Sequence, residues 1–110
     1  MEKFMKGDVV VIPFPFSDLS SSKKRPALVL ATLKGNDIVL CQITSEARFD
    51  EYSIELKEND FKKGKLNINS MIRPNKLFTA DSSLIQYKVG LLKESKLNNI
   101  IEKLIKIFKD

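Results

Sequence analysis

Short apolar runs separated by turn residues constrain this chain more than any other feature. Val9-Val10-Val11-Ile12 is β-branched and reads as a buried strand, opened by Gly7-Asp8. Pro26-Ala27-Leu28-Val29-Leu30-Ala31 and Ile38-Val39-Leu40-Cys41-Gln42-Ile43-Thr44 follow, joined by Lys34-Gly35-Asn36-Asp37, the residues of a tight hairpin. Pro13 and Pro15 are expected to stop ladder pairing, and Pro26 to stand first in its strand, because proline has no N–H to donate. Tyr52-Ser53-Ile54-Glu55-Leu56 alternates as a half-buried strand should. Asn59-Asp60 is expected to cap a helical turn that Lys62-Lys63-Gly64-Lys65 ends. Ile68 to Ile72 and Lys76 to Ala80 read as two short strands around Pro74, and Tyr87 to Leu92 as another. Close strands with polar turns predict a small antiparallel β-barrel.

The last segment has a different period. Leu97, Ile100, Ile101, Leu104, Ile105 and Phe108 form one stripe on an α-helix, expected to pack on the barrel. Repeats and linkers are absent, so residues 1–110 read as a single domain, a size that supports one core.

Composition then excludes chemistry. With no histidine, neither a Ser-His-Asp nor a Cys-His nucleophile system can be built, nor a ribonuclease with an imidazole pair. One cysteine and no histidine exclude a structural zinc site, leaving only carboxylates for any metal; none is expected. Cys41 lies among Val39, Leu40 and Ile43, and reads as a small buried hydrophobe in a reducing compartment. The longest uncharged apolar run, Val9 to Phe16, is far too short to span a membrane, and the first residues lack a signal core. A cytoplasmic protein is expected. The net charge is +5, but residues 1–55 hold 7 basic and 8 acidic groups and residues 56–110 hold 12 and 6. Since 16 of the 19 cations are lysine, charge alone says little beyond non-specific attraction to polyanions.

The stretch from Gly7 to Leu30 joins a strand opened by Gly-Asp, a polar loop, and Arg25-Pro26 leading into an apolar strand. It resembles the start of the MazF/PemK family of toxin endoribonucleases. Cys41-Gln42-Ile43-Thr44-Ser45 is similar to that family's second motif, and Ser70-Met71-Ile72-Arg73-Pro74-Asn75-Lys76-Leu77-Phe78-Thr79 to its third. The terminal helix fits the same plan, so the resemblance covers essentially the whole chain. It implies an SH3-like barrel, a homodimer, metal-independent and sequence-selective cleavage of single-stranded RNA, and a cognate antitoxin with an acidic C-terminal segment. By motif position it gives Arg25 and Thr44 the catalytic roles.

Those residues suit the chemistry. RNA brings its own nucleophile, the 2′-hydroxyl, so the protein must align it and stabilise the phosphorane charge. A guanidinium offers a rigid fork of donors to two phosphoryl oxygens, and a threonine hydroxyl offers one more. Guanidinium is a poor base, so Arg25 is expected to act first as a clamp. Where some relatives carry a loop glutamate this chain has Ser20, and Asp18 is the nearest loop carboxylate. Lys23 and Lys24 are expected on flanking phosphates, Ser20, Ser22 and Ser45 on phosphates or base edges, and Arg73 and Lys76 along the RNA path. Phe14 is expected in the core and Phe16 to stack on a base. A non-catalytic nucleic-acid- or peptide-binding module on the same barrel, or a toxin of this fold directed at DNA gyrase, are the alternatives. Convergence of Arg25 and Thr44 on one phosphate separates the first of these from the enzyme.

Overall fold

The structure is a computed structural model that describes residues 3–14, 23–46 and 50–110. Seven antiparallel strands form one sheet: β1 (Asp8–Phe14), β2 (Lys23–Thr32), β3 (Asp37–Thr44), β4 (Ile54–Leu56), β5 (Phe61–Gly64), β6 (Ser70–Asp81) and β7 (Tyr87–Leu92). Helix α1 (Glu94–Lys109) follows them. The order across the sheet is β4-β6-β3-β2-β1-β7-β5. β4 and β5 lie at opposite ends of that order, yet only residues 57–60 separate them in the chain. The sheet must therefore curl until its two ends meet, which is the expected SH3-like barrel with a C-terminal helix.

Both faces of the central strands are buried. On the helix side, Val9, Leu28, Cys41, Ile43 and Ile72 pack with Leu56, Phe61 and Leu92 from the outer strands and with Leu97 and Ile100 from α1. On the other side, Val10, Ile12, Ala27, Val29, Ile38 and Leu40 form a second cluster, covered by Phe4, Phe78, Ala80 and Ile85. Buried on both faces, β1, β2 and β3 read as continuous apolar runs rather than alternating ones. At the seam between β4 and β5, a 3₁₀ turn at Glu58–Asp60 is tied by the Lys57 N–H donating to Asp60 Oδ2 at 2.8 Å. Lys96 of α1 pins both sides of that seam: its Nζ donates to the Glu55 carbonyl at 2.7 Å and lies 3.2 Å from Asp60 Oδ2.

The prolines depart from expectation. β1 continues through Pro13 to Phe14, and β2 begins three residues before Pro26. β1 pairs with β7 only as far as Val11, and β2 pairs with β3 only from Ala27. Pro13 and Pro26 therefore each sit where their strand has a neighbour on one side alone, so no N–H is missed. The strands around Pro74 are one long β6, with Pro74 in a register shift between Cys41↔Leu77 and Gln42↔Arg73.

Residues 61–64 also differ, forming strand β5 rather than the end of a helical turn. Gly64, at φ +73°, closes on Gly90 of β7, and a Cβ there would lie 2.1 Å from the Val89 carbonyl oxygen. Helix α1 seats only half of its stripe: Leu97 and Ile100 are buried, whereas Ile105 and Phe108 are 48% and 72% exposed.

Candidate functional site

Asp8, from the opening Gly-Asp, is structural. Its buried carboxylate accepts from the Met5 N–H at 2.9 Å and faces Lys88 Nζ at 3.4 Å, anchoring the segment before β1. The functional candidates collect at the other end of the same strands. β2 and β3 are in register at Ala27↔Gln42, Leu28↔Cys41 and Val29↔Leu40. The pairing ends at Ala27↔Gln42, and Arg25 and Thr44 each stand two residues beyond that last pair, at the same end of the two strands. Opposed residues of antiparallel strands share a face, so Arg25, Ala27, Gln42 and Thr44 lie on one side of the sheet. Across β3, Gln42 opposes Arg73 and Thr44 opposes Met71. Arg25, Thr44 and Arg73 therefore lie on three consecutive strands of one face, at the polar end of the second cluster.

Each of these side chains is held differently. Arg25 is half-buried, opposite Ile12. Thr44 is buried, and its Oγ1 accepts the Glu46 N–H at 3.1 Å. An oxygen used as an acceptor keeps its own proton, so the Thr44 hydroxyl stays a donor. Arg73 is 13% exposed at the side chain and reaches Asp50 Oδ2 at 3.4 Å, while its buried Nε has no hydrogen-bond partner among the described residues. Asp50 Oδ1 accepts from the N–H of Tyr52 and from the N–H and hydroxyl of Ser53, at 2.7–2.9 Å. The Ser53 hydroxyl, the backbone N–H groups and then Arg73 hold the Asp50 carboxyl below its ordinary value of 3.8.

The other expected site residues divide. Lys23 and Lys24 are exposed at the start of β2, opposite Phe14 and Pro13. Ser45 is exposed beside Thr44, and Lys76 is exposed just past Pro74. Phe16, Ser20 and Ser22, with Asp18, lie outside the described residues. Three participants were not singled out from sequence. Gln42 stands between Ala27 and Arg73, and its polarity inside an apolar run was the available signal. Glu46 supplies the N–H that fixes Thr44. Asp50 holds Arg73 from 23 residues away, a link with no local signature.

Two clefts occur elsewhere on the described surface. One of about 380 Å³ is lined by Phe4, Leu33, Asp37 and Ser82 at the far end of the hairpin, and one of about 190 Å³ lies between Tyr52 and the end of α1. Neither cleft is lined by Arg25, Thr44 or Arg73. No group of three or more Cys, Asp or Glu side chains suited to a metal ion occurs among the described residues. No described helix is long and apolar enough to cross a membrane.

Comparison with solved structures gives the same architecture throughout. MazF of Deinococcus radiodurans superposes with a TM-score of 0.78 at 17% identity, with all of both chains covered. A mycobacterial endoribonuclease in complex with its cognate antitoxin gives 0.77 at 13% identity, covering 97% of this chain and 96% of that one. The Mycobacterium tuberculosis toxin MazF-mt6 gives 0.72 at 17%, covering 93% and 96%. At such identities the likeness establishes the fold. No curated protein matches the chain by sequence. A family model does, over residues 5–108, and it describes the PemK-like, MazF-like toxins of type II toxin–antitoxin systems. With nearly its whole length matched, the chain belongs to that toxin family.

Proposed function

We propose that the protein, acting as one domain over residues 1–110, is an endoribonuclease that cuts single-stranded RNA by attack of the 2′-hydroxyl, with no metal or cofactor. The observation that carries this reading is that Arg25 and Thr44 stand on one face at the same end of neighbouring strands, each two residues past the last pair, Ala27↔Gln42. On this reading both donors reach one phosphate, which suits a phosphorane better than a passive contact.

In the reaction, the 2′-oxygen bonds to phosphorus as the bond to the 5′-oxygen breaks. One proton leaves the 2′-oxygen and one reaches the 5′-oxygen, giving a 2′,3′-cyclic phosphate and a 5′-hydroxyl with no reagent consumed. Arg25 clamps two phosphoryl oxygens through its fork, and the Thr44 hydroxyl donates to the charge that develops. Lys23, Lys24, Arg73 and Lys76 contact flanking phosphates, with Ser20, Ser22, Ser45 and Phe16 towards the bases. A cytoplasmic homodimer and an acidic antitoxin segment that folds over the cationic face complete the reading. The mycobacterial relative solved with its cognate antitoxin supports that partner class.

The test is primer extension on a long single-stranded RNA treated with purified protein, with and without EDTA. Discrete cuts that survive EDTA and vanish with Arg25→Ala support the proposal. Equal cutting by wild type and Arg25→Ala overturns the site, and dependence on a divalent cation overturns the mechanism.

A further inference from the structure

Arg73 is a charged group with too few partners. Its side chain is mostly buried, its one acceptor among the described residues is Asp50 Oδ2 at a long 3.4 Å, and Nε is buried without a partner among them. A buried guanidinium normally fills more of its five donors, since unmet ones carry a desolvation penalty. The unfilled donors point to an anion that completes the site. Register puts Arg73 opposite Gln42 on the face that also carries Thr44, one strand over and two residues along, a diagonal of about 7–8 Å.

Asp50 decides where that guanidinium goes, and its two oxygens have separate duties. Oδ1 is committed to the turn, accepting from Tyr52 and Ser53. Oδ2 alone faces Arg73. We infer that Asp50 is a positioning residue: through Oδ2 it holds the Arg73 guanidinium in place to take an RNA phosphate next to the one cut at Arg25 and Thr44. The inference rests on the endoribonuclease reading and adds to it the group that orients its second arginine. It also explains why a carboxylate, otherwise unwelcome on a polyanion-binding face, stands there: half of it builds a turn and half aims a cation.

The duties can be separated experimentally. Asp50→Asn keeps a side-chain oxygen for the turn, which asparagine caps well, but removes the charged acceptor from Arg73. Full-length wild type, Asp50→Asn, Arg73→Ala and the double variant are titrated against a short 2′-O-methylated single-stranded RNA, which binds but lacks the nucleophile. Titrations run over a salt series, and thermal melts confirm that each variant is folded. Cleavage of unmodified RNA is measured alongside.

The expected result is roughly tenfold weaker binding for Arg73→Ala, with its salt slope reduced by about 0.7, the value of one phosphate contact on a single strand. Asp50→Asn should weaken binding to a similar degree and cost nothing further in the Arg73→Ala background. If the two effects add, Asp50 acts through its turn alone and the inference falls. It also falls if Asp50→Asn binds as well as wild type or tighter, or if Arg73→Ala leaves affinity and slope unchanged. Wild type that cuts RNA while these results fail overturns only this inference. Wild type that neither binds nor cuts overturns the endoribonuclease reading as well.

Discussion

Truncating the helix stripe position by position is a sharp test of how α1 is seated. Ile100 is fully buried against the barrel, whereas Phe108, two turns further along the same stripe, is 72% exposed. Ile100→Ala removes three carbons from a closed core. At about 0.8 kcal/mol per buried methylene, transfer alone costs about 2.4 kcal/mol. Incomplete collapse of the cavity adds to this, giving about 3 kcal/mol, inside the 2–5 kcal/mol typical of such truncations. Alanine's better helix propensity returns only a few tenths. For a domain of this size each kcal/mol moves Tm by roughly 4–5 °C, so the melt should fall by about 12–15 °C. Phe108→Ala removes a larger side chain, but mostly from water, and gains helix propensity. Its effect should stay within about 0.5 kcal/mol, or roughly 2 °C. Differential scanning calorimetry of both variants at one concentration decides the matter. A Phe108→Ala loss comparable to that of Ile100→Ala would refute the half-seated helix, because that ring would then have to be covered.

Arg25→Ala should lower the cleavage rate by at least roughly 10²-fold, the scale of losing one charge-stabilising donor, with little change in Tm; quantitative single-turnover cleavage measures it. Gly64→Ala should cost more than about 3 kcal/mol, because its Cβ would strike the Val89 carbonyl at 2.1 Å, whereas Gly35→Ala, at φ +79° with open space around it, should cost about 1–2 kcal/mol; parallel urea melts compare them. Burial pushes the Cys41 thiol up to about 12 from its ordinary 9.0, so it should resist a thiol reagent at neutral pH until the protein unfolds. A raised acid pKa also means that its contribution to stability, present below pH 9, should decline as pH rises above that value, visible as a Cys41→Ala melt less sensitive to alkali. Asp50 has the opposite sign. Its folded pKa lies below 3.8, so its stabilising contribution is present above that pH and is lost as pH falls through the folded value. Acid melts of Asp50→Asn should therefore converge on wild type in that window.

Much of the fold was legible because it follows from local pattern. The apolar runs marked β1, β2, β3 and β7, Gly35 marked the hairpin, and the stripe marked α1. What pattern missed depended on neighbours. Whether Pro13 and Pro26 break a strand turns on whether a partner lies on the side where the N–H is missing, and only the strand order shows that. Lys62-Lys63-Gly64 carries a helix-terminus composition but becomes a strand because Gly64 and Gly90, both without a Cβ, let β5 and β7 approach closely. The helix stripe is chemically uniform, so the sequence cannot reveal where the barrel beneath it ends. The same division holds for the candidate site. Motifs marked Arg25 and Thr44, and the strand order brings both to the same end of one face. Asp50 escaped notice because its partner Arg73 is distant in sequence, and an aspartate two residues before a serine-bearing turn has an ordinary local explanation.

The seam between β4 and β5 bears on solubility. An open sheet ends in two rows of unpaired backbone groups, each a template for another chain. Here the end strands are only three and four residues long. They are tied to each other through residues 57–60, and a lysine from α1 spans the joint. Because its end strands are so short, each offers another molecule only a few residues of edge to extend. A protein 43% hydrophobic, buried on both faces of its central strands, is thereby guarded against edge-to-edge aggregation at the ends of its sheet.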